Sequence, residues 1–113
     1  MNDSTPIVHL DHLDHLAAAQ SELLRRLAAK YIWWKTPSEA LRQPQRVIAQ
    51  VMTLGDYDDV QAMVAALGYD ALRAVVRDAE PGWFDARSWT YWHYRLHLAA
   101  PDQVPPLPAR RFS

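Results

Sequence analysis

The chain has 113 residues, of which 50% are hydrophobic, with a formal net charge of −1 and no cysteine. This length and composition predict one compact domain with a real core and exclude disulfide bonds, thiolate zinc sites and cysteine nucleophiles. The small net charge also argues against coating nucleic acid by charge alone, which leaves a local basic patch as the only route to nucleic acid.

The N-terminal segment, residues 1–12, is rich in histidine, and we expect it to be flexible. His9, His12 and His15 are spaced three residues apart. On an α-helix this spacing spreads three imidazoles over a fan of about 120°, so it favours a solvated helix start over a metal site.

The N-terminal segment lacks the basic and apolar regions of a signal peptide, and no apolar run in the chain is long enough to span a membrane. We therefore expect a cytoplasmic protein. From the histidine spacing and the absence of a cofactor-binding motif, we expect it to contain neither a metal nor a cofactor.

The helical domain is predicted to span residues 13–99, and its first helix to run from about Leu13 to about Trp34, with leucines at helical spacing on one side. Trp33 and Trp34 point about 100° apart on a helix, so at most one lies squarely in the core. The other either packs beneath the C-terminal tail or the last helix, or contributes to an outer binding surface.

Helix boundaries are signalled clearly in the middle of the chain. Thr36 and Glu39 fit a capping box, Asp56 is a predicted helix cap, and Gly55 and Gly68 fit the position after a helix where a positive φ is tolerated. No strand alternation is convincing. The sequence therefore predicts an all-α fold, a single small bundle of about five helices.

The last helix, capped by Asp85, has aromatic residues on two faces. Its periodicity places four residues on the core face, namely Trp89, Trp92, His93 and Leu96, and three on the opposite face, namely Tyr91, Tyr94 and Leu98. We expect His93 to be bonded to a backbone carbonyl rather than to act in catalysis. Large aromatic rings on a second face are typical of a partner-binding or base-stacking surface.

Residues 100–113 form a proline-rich tail, which we expect to be extended. It is predicted to pack on its own domain as a strap, with Arg110, Arg111 and Phe112 at its end either free or docked on a partner.

Five segments of the chain are distinctive when taken together: YIWWKTPSEAL at 31–41, VIAQVM at 47–52, PGWF at 81–84, SWTYWHYRL at 88–96 and VPPLP at 104–108. They resemble a group of small bacterial all-helical proteins encoded beside AbiE-type nucleotidyltransferase toxins, for which they would serve as antitoxins. The chain has neither the length nor the recognition helix of the large winged-helix antitoxins found beside such toxins, so the resemblance does not extend to operator binding.

The resemblance implies a non-enzymatic antitoxin that binds and neutralises a nucleotidyltransferase toxin. The outer aromatic face would supply anchors, and the terminal arginines would enter an acidic cleft of the toxin. The predicted partner-binding residues are Trp33, Trp34, Tyr91, Tyr94, Arg95, Leu98, Arg110, Arg111 and Phe112.

Two other functions use the same surface. In a small module that binds RNA or single-stranded nucleic acid, the rings would stack on bases while Arg87 and Arg95 pair with phosphates. In a homo-oligomeric scaffold, the second aromatic face would be buried against another copy of the chain.

Overall fold

The computed structural model describes residues 6–109, and for residues 6–17 it describes the backbone alone. Over this range the chain forms six α-helices and no strand, so the all-α prediction is confirmed. The helices are α1 (Pro6–Tyr31), α2 (Pro37–Ala40), α3 (Pro44–Leu54), α4 (Tyr57–Leu67), α5 (Tyr69–Arg77) and α6 (Ala86–Arg95). The side chains of His9, His12 and His15, and all of Arg110, Arg111 and Phe112, lie outside what is described. Of the segment 1–12 that was predicted to be flexible, residues 1–5 also lie outside the described range, and the backbone of residues 6–12 belongs to α1.

Helix α3 lies at the centre of the bundle and contacts all five other helices. Five of its residues are buried: Val47, Ile48, Ala49, Val51 and Met52. A helix that is apolar on most of its circumference gains most from being surrounded by others. Residues of α1, α4, α5 and α6 complete the core around it, including Leu27, Met63, Leu72 and Trp92. No helix among the described residues is long and apolar enough to cross a membrane.

Three predicted helix starts agree with the structure, whereas the first helix begins at Pro6 rather than at about Leu13. Thr36 and Glu39 form the capping box, and Pro37 occupies the first helical position of α2. Asp56 and Asp85 each accept a hydrogen bond from the backbone N–H three residues later, at the starts of α4 and α6. These caps involve only neighbouring residues, which is why sequence alone was enough to predict them.

The two interhelical glycines serve different purposes. Gly68 has a φ of 82° and ends α4 as predicted. Gly55 follows the end of α3 as predicted, but its φ is −66°, so it does not adopt the positive φ that this position was expected to tolerate. A Cβ atom at Gly55 would lie 2.5 Å from the carbonyl oxygen of Val51. Close approach of the backbone at the α3–α4 turn is therefore what requires glycine there.

Candidate partner-binding surface

Helix α6 has a buried face and an exposed aromatic face. Trp89, Trp92, His93 and Leu96 are buried in the core, as predicted. Tyr91 and Tyr94 lie on the other side and are 50% and 42% exposed. Two large rings three residues apart on a helix are neighbours, so they form one continuous aromatic patch.

Arg95 connects this patch to the next helix. Its guanidinium donates a 2.8 Å hydrogen bond to the hydroxyl of Tyr91 and a 3.3 Å bond to the hydroxyl of Tyr69, at the start of α5. The guanidinium carbon lies 5.8 Å from the ring centroid of Tyr69 and 5.4 Å from that of Trp92. These distances are those of cation–π contacts, which hold the arginine against the aromatic rings. We call Tyr69, Tyr91, Tyr94 and Arg95 the α6 aromatic surface.

Tyr69 was missed by the sequence analysis. It lies three residues before the buried Leu72, so helical periodicity would place it on the core face of α5. Its ring is 42% exposed instead. No local signal distinguishes it from a core residue, because Arg95, the residue that its hydroxyl contacts, lies 26 residues away.

Leu98 does not belong to this surface. The helix ends at Arg95, and His97 has a φ of 57°, which turns the chain away from the helical path. Leu98 is partly buried against the core, and its N–H donates to the carbonyl of His93. The prediction that Leu98 shares the outer face with Tyr91 and Tyr94 is wrong, because it assumed that the helix continues past Leu96.

The described part of the tail folds back on α6. The indole N–H of Trp89 donates a 2.8 Å hydrogen bond to the carbonyl of Pro105. The backbone N–H of Asp102 lies 3.4 Å from the hydroxyl oxygen of Tyr94, and Val104 and Leu107 pack against the core. The tail is therefore held beside the α6 aromatic surface as far as the structure describes it.

Trp33 and Trp34 form a second exposed aromatic site at the end of α1. Helix α1 stops at Tyr31, and Ile32 takes the buried position that a longer helix would have assigned to a tryptophan. Trp33 is 77% exposed and Trp34 51%, with their rings edge to face at 5.7 Å. The alternative in which one of them packs beneath the tail or last helix is therefore wrong. Among the described residues the only aromatic contact of either tryptophan is with the other, and α1 does not contact α6, so these tryptophans lie apart from the α6 aromatic surface.

His93 has the structural role that was expected. Its Nδ1 lies 2.8 Å from the carbonyl oxygen of Trp89, and its ring packs against the Trp89 indole with centroids 4.4 Å apart. The side chain is buried, so a substrate cannot reach it. Within the part of the chain where side chains are described, no group of three or more His, Asp or Glu residues is placed to hold a metal ion.

Comparison with known proteins adds no relative: no family model, curated protein or solved structure matches this chain. A functional conclusion therefore depends on the surface itself and on the motifs quoted above.

Proposed function

We propose that this chain is a non-enzymatic protein-binding module whose interface is centred on the α6 aromatic surface. The observation that carries the proposal is the exposure of Tyr91 and Tyr94 on the side of α6 opposite the core. Tyrosine and arginine are among the residues that dominate binding energy at protein interfaces, because they bring large contact area and a polar group together.

The arrangement of Arg95 favours tight binding. Its bonds to Tyr91 and Tyr69 restrain three side chains before any partner arrives. Ordering a flexible side chain at an interface costs about 0.5–1.5 kcal/mol, so restraint in the free protein reduces the cost of association. Hydrogen bonding to Tyr69 and then Tyr91 also raises the pKa of Arg95, whose guanidinium is charged throughout the physiological range with or without these bonds.

By its resemblance to the proteins encoded beside AbiE-type toxins, we infer that the partner is a nucleotidyltransferase toxin and that binding neutralises it. The bond between Trp89 and Pro105 holds the tail against α6. Arg110 follows Pro105 by five residues, and five extended residues reach about 17 Å at most. Arg110, Arg111 and Phe112 would then contact a toxin docked on the α6 aromatic surface, with the arginines pairing with carboxylates of its cleft.

Co-expression with the nucleotidyltransferase toxin gene that the proposal expects beside this one tests the proposal. The wild-type chain is expected to restore growth, and Tyr91→Ala combined with Tyr94→Ala to abolish rescue. Tyr57→Ala is the matched control, because Tyr57 is 76% exposed at the start of α4, away from this surface. Urea unfolding of each variant establishes that rescue is compared at equal stability.

The outcomes separate the parts of the proposal. Undiminished rescue by the double variant would reject the aromatic interface but keep the antitoxin function. Failure of the wild-type chain to rescue or to co-purify with the toxin would reject the toxin as partner. Sedimentation of the chain alone then tests the homo-oligomer, and a steep salt dependence of binding to single-stranded RNA would instead identify the nucleic-acid module.

A further inference from the structure

A cleft of about 270 Å³ lies between the end of α1, helix α2 and the start of α3. It is separate from the α6 aromatic surface, because none of the residues of that surface lines it. Its walls are formed by one tryptophan, three cationic side chains and one carboxylate over an apolar floor. The tryptophan is Trp34, the cations are Lys35, Arg42 and Arg46, and the carboxylate is Glu39. Ile32 and Ala40 form the floor.

The cleft carries an excess of positive charge. Among the described residues, Lys35, Arg42 and Arg46 form no ion pair, although four other pairs are present in the same part of the chain. The carboxylate of Glu39 already accepts hydrogen bonds from the backbone N–H and hydroxyl of Thr36, at 3.0 and 3.2 Å. Three cations and one carboxylate leave a net charge of +2 in a chain whose net charge is −1. This cleft is the kind of local basic patch that the small net charge left open.

Arg46 occupies a position that helix stability disfavours. It lies in the first turn of α3, where no acidic residue is present and Gln43 provides no side-chain cap. The N-terminal end of a helix carries partial positive charge, so a cation there is unfavourable. Residues that break a local rule without a compensating contact are found preferentially at binding sites. A bound anion would offset the unfavourable interaction between the charge of Arg46 and the N-terminal end of α3.

Trp34 adds a flat apolar wall. Its ring is half exposed and lies perpendicular to the Trp33 ring, with the two ring centroids 5.7 Å apart. Ile32 and Ala40, both buried, form the apolar floor beneath it. An indole face beside two guanidinium groups combines the two contacts that single nucleotides use in proteins, which are stacking of the base and charge-assisted hydrogen bonds to the phosphate.

We propose that this cleft binds a nucleoside phosphate, with Arg42 and Arg46 on the phosphate and Trp34 stacked on the base. A phosphate dianion matches the net charge of +2, whereas a carboxylate would leave one cation without a partner. The same chemistry is offered by a free mononucleotide and by the 5′-terminal nucleotide of a single strand. At about 270 Å³ the cleft is slightly smaller than the roughly 300–1,000 Å³ of typical ligand sites, so a bound nucleotide would remain partly exposed to solvent.

Calorimetric titration of the full chain tests the proposal with four probes: AMP, adenosine, inorganic phosphate and a 5′-phosphorylated pentanucleotide RNA. AMP is expected to bind at least about tenfold more tightly than either adenosine or inorganic phosphate, because only AMP makes both kinds of contact. Added salt is expected to weaken AMP binding without affecting adenosine.

Two variants assign the contacts. Arg42→Ala with Arg46→Ala is expected to weaken AMP binding at least about tenfold, since each lost charged hydrogen bond is worth about one power of ten. Trp34→Leu is expected to weaken AMP binding about fivefold or more and to leave inorganic phosphate unchanged. Arg87→Ala and Tyr57→Leu are the matched controls, because both residues are exposed and neither lines the cleft.

Each outcome decides the proposal. Tighter binding of AMP that is lost in both cleft variants but kept in both controls would support it. If the pentanucleotide binds at least tenfold more tightly than AMP and responds to the same variants, the ligand is a strand terminus rather than a free nucleotide. Equal binding of AMP and inorganic phosphate, or AMP binding that survives Arg42→Ala with Arg46→Ala, would overturn it. All these substitutions are at exposed or half-exposed positions, so circular dichroism is expected to show an unchanged helical fold.

Discussion

Asp59 and Lys30 join α4 to α1 through an ion pair of 2.7 Å. The same Asp59 oxygen accepts a 2.6 Å hydrogen bond from the hydroxyl of Tyr31, and Arg26 lies 3.6 Å from the other oxygen. Asp59 is buried, whereas Lys30 remains half exposed. A buried carboxylate with this many donors is satisfied, and losing them would leave a charge with little access to water.

Asp59→Asn is expected to destabilise the fold by about 1–3 kcal/mol, because it removes a charged acceptor that serves two residues of α1. Urea unfolding measures the change. Asp58→Asn is the matched control: Asp58 is exposed in the same helical turn, and we expect it to lose only the smaller interaction with the helix dipole. Equal losses in the two variants would mean that the contacts with Lys30 and Tyr31 contribute nothing.

Stability is expected to fall in acid through the same residue. The ammonium of Lys30, and then the hydroxyl of Tyr31, lower the pKa of Asp59 from its ordinary value of 3.8. A carboxyl whose pKa is lower in the folded state stabilises the fold above its unfolded pKa, and this contribution disappears as the pH falls below about 4 and through the folded value. Unfolding free energies measured from pH 7 to pH 2 are expected to drop less steeply in Asp59→Asn than in the wild type. Parallel curves would contradict this assignment.

Trp92→Phe is expected to destabilise the fold by about 1–3 kcal/mol, beyond the small loss of apolar contact. The indole N–H donates a 2.8 Å hydrogen bond to the carbonyl of Met52 in the last turn of α3, and this bond is buried. Phenylalanine would leave that carbonyl without the bond in an apolar setting. Trp33→Phe, at the exposed end of α1, is expected to change the unfolding free energy by less than about 0.5 kcal/mol.

Gly55→Ala is expected to destabilise the fold by about 1–3 kcal/mol, as overpacking does. The added Cβ would meet a backbone carbonyl at 2.5 Å and the Val51 and Val60 side chains at 2.9 and 3.1 Å. Rotation of a side chain cannot relieve the contact with the carbonyl. Thermal unfolding measures the loss, and an unchanged midpoint would mean that the α3–α4 turn can widen without cost.

Trp89→Phe is expected to loosen the tail while leaving the bundle folded. The substitution removes the bond from the indole N–H to the carbonyl of Pro105. Amide hydrogen exchange of Asp102, Gln103 and Val104 is expected to accelerate, whereas amides of α3 are expected to keep their wild-type protection. Unchanged exchange in the tail would mean that Val104 and Leu107 hold it by packing alone.

The helical class, the caps and the buried face of α6 could be predicted from the sequence. Each depends on residues within one or two helical turns: Thr36 on Glu39, Asp85 on Ser88, and Trp89 on Trp92. Helical spacing and capping both involve residues that are close together in the sequence, so these features can be predicted from the sequence alone. The exposure of Tyr91 and Tyr94 followed from the same periodicity.

Other features were decided only by the tertiary structure. Ile32 rather than a tryptophan enters the core, Gly55 is required by a close approach, and Arg95 brings Tyr69 to the aromatic surface. Asp59 lies in the first turn of α4, and no neighbouring residue indicates that Lys30, 29 residues away, reaches its carboxylate. The sequence by itself determined which segments are helical and which faces are apolar. Which residues from distant segments meet was determined only when the helices packed, because those contacts depend on how separate elements lie against one another.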